Sequence, residues 1–140
     1  MKTAVVLSIR GRQCYPGQEP DEIQLVTEGV LEQADDGWKL CYEESELTGL
    51  QGVSTTFILK EKEVTLSRTG KLNSQMVFRE GVSHDSLYQM EFGALMLTVC
   101  ATRVEANITP HGGVIDLRYR IAVEQNEAGT VEYHLDIEPK

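Results

Sequence analysis

Along the last third of the chain, apolar and polar residues alternate with a period of two. Ile115, Leu117, Tyr119, Ile121 and Val123 stand against Asp116, Arg118 and Arg120; Val131, Tyr133, Leu135 and Ile137 stand against Glu132, His134, Asp136 and Glu138. Side chains of a strand point alternately to opposite faces, so this spacing calls for extended segments with one buried side and argues against helices. His111-Gly112-Gly113 and Asn126 to Gly129 are the turns that bound the two runs.

The same period extends back through the chain. Ala4 to Arg12 sets Val5, Leu7 and Ile9 against Ser8, Arg10 and Arg12, and Gln13 to Pro20 is a proline- and glycine-broken loop. Asp21 to Gln33 is double in character: Pro20-Asp21-Glu22 resembles a helix start, but Ile23, Leu25, Thr27, Gly29 and Leu31 alternate, and the strand is preferred. Ala34-Asp35-Asp36-Gly37 is a hairpin turn into Trp38, Leu40 and Tyr42. Glu43 to Gly52 reads as a loop or bulged corner. Thr55 to Lys60 and Glu63 to Arg68 follow, joined at Glu61-Lys62, then Gln75 to Arg79 and Leu87 to Phe92, with Gly81 to Asp85 between those two. Ala94 to Val104 is apolar on both faces and is expected to be covered on both sides or to close a barrel. Asn107 to Pro110 reads as a loop. About nine or ten short-linked strands with no helix and no repeat predict one all-β domain over 1–140, an antiparallel up-and-down barrel of about eight to ten strands, with a sandwich as the alternative.

Charge and cysteine content narrow the function. Twenty-two acidic against thirteen basic residues give a net charge of −9, which repels nucleic acid and anionic membrane alike, so neither is an expected partner. Apolar runs are too short for a membrane helix, and Ala4 to Ile9, followed by Arg10 and Arg12, is too short for a signal sequence. Cys14, Cys41 and Cys100 are odd in number with no CxxC spacing, which suits a reducing, cytoplasmic compartment and buried small apolar roles.

Tyr42-Glu43-Glu44-Ser45, Gly49, Thr55-Thr56, Val64-x-Leu66-x-Arg68-x-Gly70, Met76-x-Phe78, Tyr88, Gly93 and Tyr119 together resemble the pattern of the YwiB-like proteins, a bacterial family of unknown function. The resemblance runs from Val6 to Ile137. It implies a calycin-like, that is lipocalin-like, barrel, a cytoplasmic location and a strand at Ile23 to Leu31, and it implies no activity. Gln89-Met90 departs from the Thr-Pro usual after Tyr88, which counts against a shared polar site on that strand.

The candidate ligand-binding residues are Trp38, Tyr42, Glu44, Arg68, Met76, Phe78 and Tyr119. In a strand Tyr42 and Glu44 share a face that Glu43 does not, and with Arg68 they make a group able to bind a polar ligand or transfer a proton. The plainer reading is a Glu44–Arg68 ion pair at a barrel rim. Arg118 and Arg120 are expected to point outward, while Arg10 and Arg68 are open. Ser83-His84-Asp85 matches a triad only in spelling, since neighbours in a loop cannot take the three spatial roles. His84, His111 and His134 lack ligand spacing, so no metal and no cofactor is expected. The favoured function is a non-enzymatic binder of a small, partly apolar ligand in the barrel or its mouth. The alternatives are an interaction or homodimer surface on the outer sheet, motivated by Met96 and Val104, and a small Tyr/Glu/Arg enzyme.

Overall fold

Each alternating run becomes a strand in the computed structural model, which describes residues 2–45, 50–90, 93–124 and 126–140, apart from the side chains of Glu127 and Ala128. Ten strands follow in chain order: β1 (Lys2–Cys14), β2 (Asp21–Ala34), β3 (Gly37–Glu43), β4 (Val53–Lys60), β5 (Glu63–Gly70), β6 (Ser74–Phe78), β7 (Ser83–Met90), β8 (Gly93–Thr109), β9 (Gly112–Val123) and β10 (Asn126–Pro139). All pair antiparallel in the order β6-β5-β4-β3-β2-β1-β10-β9-β8-β7, so the chain meanders and its first and last strands lie side by side. The result is the expected up-and-down barrel, nearly closed. Between β6 and β7 the ladder is replaced by isolated pairs, Asn73 with Gln89 at one end and Arg79 with Val82 at the other.

Several boundaries differ from the sequence expectation. β7 begins at Ser83, so Ser83-His84-Asp85 is strand; His84 turns inward and Asp85 outward, where it accepts a 2.6 Å hydrogen bond from Thr98. β8 continues through Thr109, and Asn107 to Thr109 is strand because it pairs with Gly112 to Val114. Register shifts at Ala101/Arg103, and this bulge reverses the parity of the strand. Val104, Ala106 and Ile108 therefore pack against the core on the side of Val99 and Ala101, and Val104 is not the outward apolar residue the uninterrupted alternation suggested. Cys41 and Cys100 sit half-buried on the outer face, since their neighbours Leu40, Tyr42, Val99 and Ala101 take the inner one. The expectations placed on Gly49 and Phe92 lie outside the described residues.

Pairing sets inward side chains into layers across the strands. Leu31, Leu40, Phe57, Leu66 and Met76 form one, and Trp38, Leu59, Val64 and Phe78 the next. Leu40, Phe57, Val64 and Phe78 are fully buried. A void wide enough for water would leave accessible surface on its lining, so these layers are filled. Burying a Phe or Leu side chain contributes roughly 1.5–3 kcal/mol, and this packed interior is the source of the barrel's stability.

Candidate functional site

One step along from the apolar layers the inward row changes character. Tyr42 of β3 pairs with Thr55 of β4, Thr55 with Arg68 of β5, and Arg68 with Ser74 of β6. Neighbouring strands are about 4.8 Å apart, so four polar side chains stand in line on the inner wall. Gly29 precedes Tyr42 in the row, and a Cβ there would come within 2.7 Å of the Cys41 carbonyl and 3.1 Å of Leu7, so the absent side chain lets β3 and the tyrosine sit close.

Glu44 extends the alternation beyond the end of β3. Its N–H donates to the Val53 carbonyl at 2.9 Å, its side chain is buried, and Thr55 Oγ1 donates to Oε2 at 2.5 Å. Arg68 Nε lies 3.9 Å from the same oxygen, an ion pair without a hydrogen bond. Among the described residues, Arg68 is the arginine turned inward; Arg10, Arg118 and Arg120 are exposed, the last two as expected. Across the lumen, the Tyr42 and Tyr133 hydroxyls are hydrogen-bonded at 2.9 Å, joining β3 to β10. Tyr119 packs its ring on Phe78 with centroids 4.5 Å apart.

The field in this region is set mainly by desolvation. Burial raises the Tyr119 phenol to about 12 against a lesser lowering by Arg68. It raises Tyr42 further, helped by Tyr133 and Glu44, and it raises Tyr133 against the lowering effects of its hydrogen bond and of Arg68. These hydroxyls stay protonated near neutrality. They can donate and accept hydrogen bonds, but none is available as a phenolate base, which removes the tyrosine from a proton-abstracting role.

Of the seven residues singled out from sequence, Tyr42, Glu44 and Arg68 come together, and Tyr119 joins them through the Arg68 field. Met76 and Phe78 are packed into the filled layers at 3% and 0% exposure, so they have no free surface for a ligand. Trp38 is half-buried two layers away, four residues along β3 from Tyr42. Thr55, Ser74 and Tyr133 were missed. A signal for the first two exists: each is a small polar residue on an otherwise apolar face, Thr55 between Val53 and Phe57, Ser74 two before Met76.

The polar row opens at one end. Among the described residues Arg68 Nε and Ser74 Oγ are buried with no hydrogen-bond partner, and so are His84 Nδ1 and Ser86 Oγ on the inner face of β7. Beside the row, where β6 meets β7, a depression of about 670 Å³ is lined by Gly70, Lys71, Asn73, Gln89, Met90, Gly93 and Ala94. Gly70 has φ +124°, and a Cβ there would strike the Gly52 carbonyl at 2.3 Å, so glycine is required at this rim. Among the described residues no group of His, Cys, Asp and Glu is arranged to hold a metal ion, and no helix is long and apolar enough to cross a membrane.

These features define a ten-stranded, nearly closed antiparallel barrel with a packed apolar interior and a polar row at its mouth. The model of a domain of unknown function, DUF1934, matches residues 7–137, and the chain belongs to that family. Its structure is similar to the crystal structure of the YwiB protein from Bacillus subtilis, with a TM-score of 0.87, 21% identity, and coverage of 99% of this chain and 93% of that one. Among curated proteins none matches the chain.

Proposed function

We propose that this protein is a non-enzymatic binding protein that takes a small, partly apolar ligand at the mouth of its barrel, with Arg68, Ser74, Glu44 and Tyr42 as its polar contacts. The observation that carries this reading is the pair Arg68 and Ser74, directly opposed across β5 and β6, each with a buried polar atom that has no hydrogen-bond partner among the described residues. Leaving such an atom unpaired costs about 1–3 kcal/mol, and an acceptor group on a ligand recovers it. The adjoining depression supplies approach, and Met90 at its edge, 40% exposed, supplies apolar contact. The lipocalin-like comparison is extended only to the mouth, since the deeper layers are filled. Three unpaired thiols accord with a cytoplasmic setting.

The test is native mass spectrometry of freshly purified protein beside the same sample denatured. A small-molecule mass carried by the folded form and lost on denaturation is the expected result; a bare folded mass, unchanged after incubation with cell extract metabolites, would contradict it. A second reading, self-association through the outer face of β7 and β8, is favoured by Leu87 and Met96, which pair directly and are 45% and 38% exposed. In the same spectrum a dimer that Met96→Lys converts to monomer would support it.

A further inference from the structure

On the outer wall, away from the barrel mouth, the sheet formed by β2, β1, β10, β9 and β8 curves into a saddle of about 390 Å³. Its sides come from two outward rows. One runs Glu22, Arg12, Glu132, Arg118, Arg103 and the other Gln24, Arg10, His134, Asp116. Four guanidiniums thus face three carboxylates on a chain whose overall charge is −9. Glu105 on β8, beside Asp116, adds a carboxylate at the edge, so what distinguishes the saddle is how its charges are distributed.

The charges are not evenly matched. Arg12 lies 3.7 Å from Glu22, Arg118 lies 3.1 Å from Glu132, and Arg103 lies 3.7 Å from Asp116 and 3.1 Å from Glu105. Arg10 is flanked by neutral Gln24 on β2 and by His134 on β10. The carboxylates nearest that histidine are already engaged by its ring, Nδ1 with Asp116 at 2.7 Å and Nε2 with Asp136 at 3.3 Å. Among the described residues Arg10 has no carboxylate partner. Arg103 and Arg118 are directly opposed across β8 and β9, and their repulsion is offset by the carboxylates of Glu105, Asp116 and Glu132 beside them, which leaves Arg10 as the guanidinium of the saddle with no such neighbour among the described residues.

We propose that this saddle is a second binding site, separate from the barrel mouth, for a small molecule presenting one oxyanion group, a phosphoryl or a carboxylate, to the Arg10 guanidinium. A planar guanidinium grips either group through two parallel N–H donors. Arg12 and Arg118, across the groove, hold the same charge at longer range, and Gln24 supplies a neutral hydrogen-bonding edge for the rest of the ligand.

The experiment follows the arginine Nε–H resonances by NMR while inorganic phosphate or acetate is added at constant ionic strength. A saturating shift at Arg10 with either anion is expected, and the anion that binds more tightly identifies the group. Arg10→Gln should weaken that binding by about tenfold or more, read from the remaining saddle resonances, while Arg79→Gln, at an exposed arginine elsewhere, leaves it unchanged. The Arg68→Met/Glu44→Gln variant also leaves it unchanged, which separates this site from the barrel mouth. Shifts that fail to saturate with both anions, equal responses at Arg79, or undiminished binding in Arg10→Gln would each overturn the proposal.

Discussion

Three phenols carry the clearest electrostatic consequence at the scale of single residues. Tyr42, Tyr119 and Tyr133 have folded-state pKa values raised by burial above the ordinary 10.0, Tyr119 to about 12. A group whose pKa is higher in the folded state binds more protons there, so its contribution to stability is complete below pH 10 and is lost as pH rises from about 10 through about 12. Phenolate absorbance and circular dichroism, followed together through an alkaline titration, are therefore expected to show part of the tyrosine signal appearing cooperatively with unfolding. Titration of every tyrosine near its ordinary value in an intact fold would contradict this. Tyr119→Phe removes one of the ionisations and should move the alkaline midpoint upward.

Lys62 offers a second residue-scale test. It turns the chain between Lys60 and Glu63 at φ 66°, a left-handed conformation that costs a non-glycine residue about 1–2 kcal/mol. Lys62→Gly relieves that strain at some cost in unfolded-chain entropy, so a gain of up to about 1 kcal/mol is expected in denaturant unfolding. A loss of stability would show that the lysine side chain contributes more than its backbone strain costs.

At the scale of the element, most strands are legible because one face is apolar and the turn residues say where they end. Val114 to Val123 and Asp35-Asp36 before Gly37 are cases in which period and turn chemistry agree. Where the period breaks, sequence misleads. Val104 looked outward because a bulge inserts Thr102 without leaving any mark in residue type, and Ser83 to Asp85 looked like loop because its inward members, His84 and Ser86, are polar. The polar row was only partly legible for a related reason: Tyr42, Glu44 and Arg68 stand out as chemistry, whereas Thr55 and Ser74 acquire meaning only when pairing puts them beside Arg68. The bulge makes its own prediction. Deleting Thr102 alone removes the extra residue and leaves Val104, Ala106 and Ile108 facing inward, so thermal unfolding is expected to stay cooperative, whereas deleting Thr102 and Arg103 together turns those three to solvent and is expected to abolish the cooperative transition. Equal tolerance of both would mean that the parity of this strand matters little.

At the scale of the whole molecule, the barrel divides its labour along its axis. Filled apolar layers hold the wall, and the polar row near the Asn73–Gln89 pair holds Arg68 Nε and Ser74 Oγ, which find no hydrogen-bond partner among the described residues. Stability and binding are therefore separable by mutation. Arg68→Met alone removes the cation from beside the buried Glu44 carboxylate and should cost about 3–5 kcal/mol, while adding Glu44→Gln removes the carboxylate charge as well and should return most of that. The double variant keeps the fold without the guanidinium. Native mass spectrometry of this double variant beside the parent tests the account most directly: the parent is expected to carry a small-molecule mass that is lost on denaturation and that the equally folded variant lacks. The same bound mass on both proteins would show that Arg68 does not hold the ligand, and the assignment of the barrel mouth would fail.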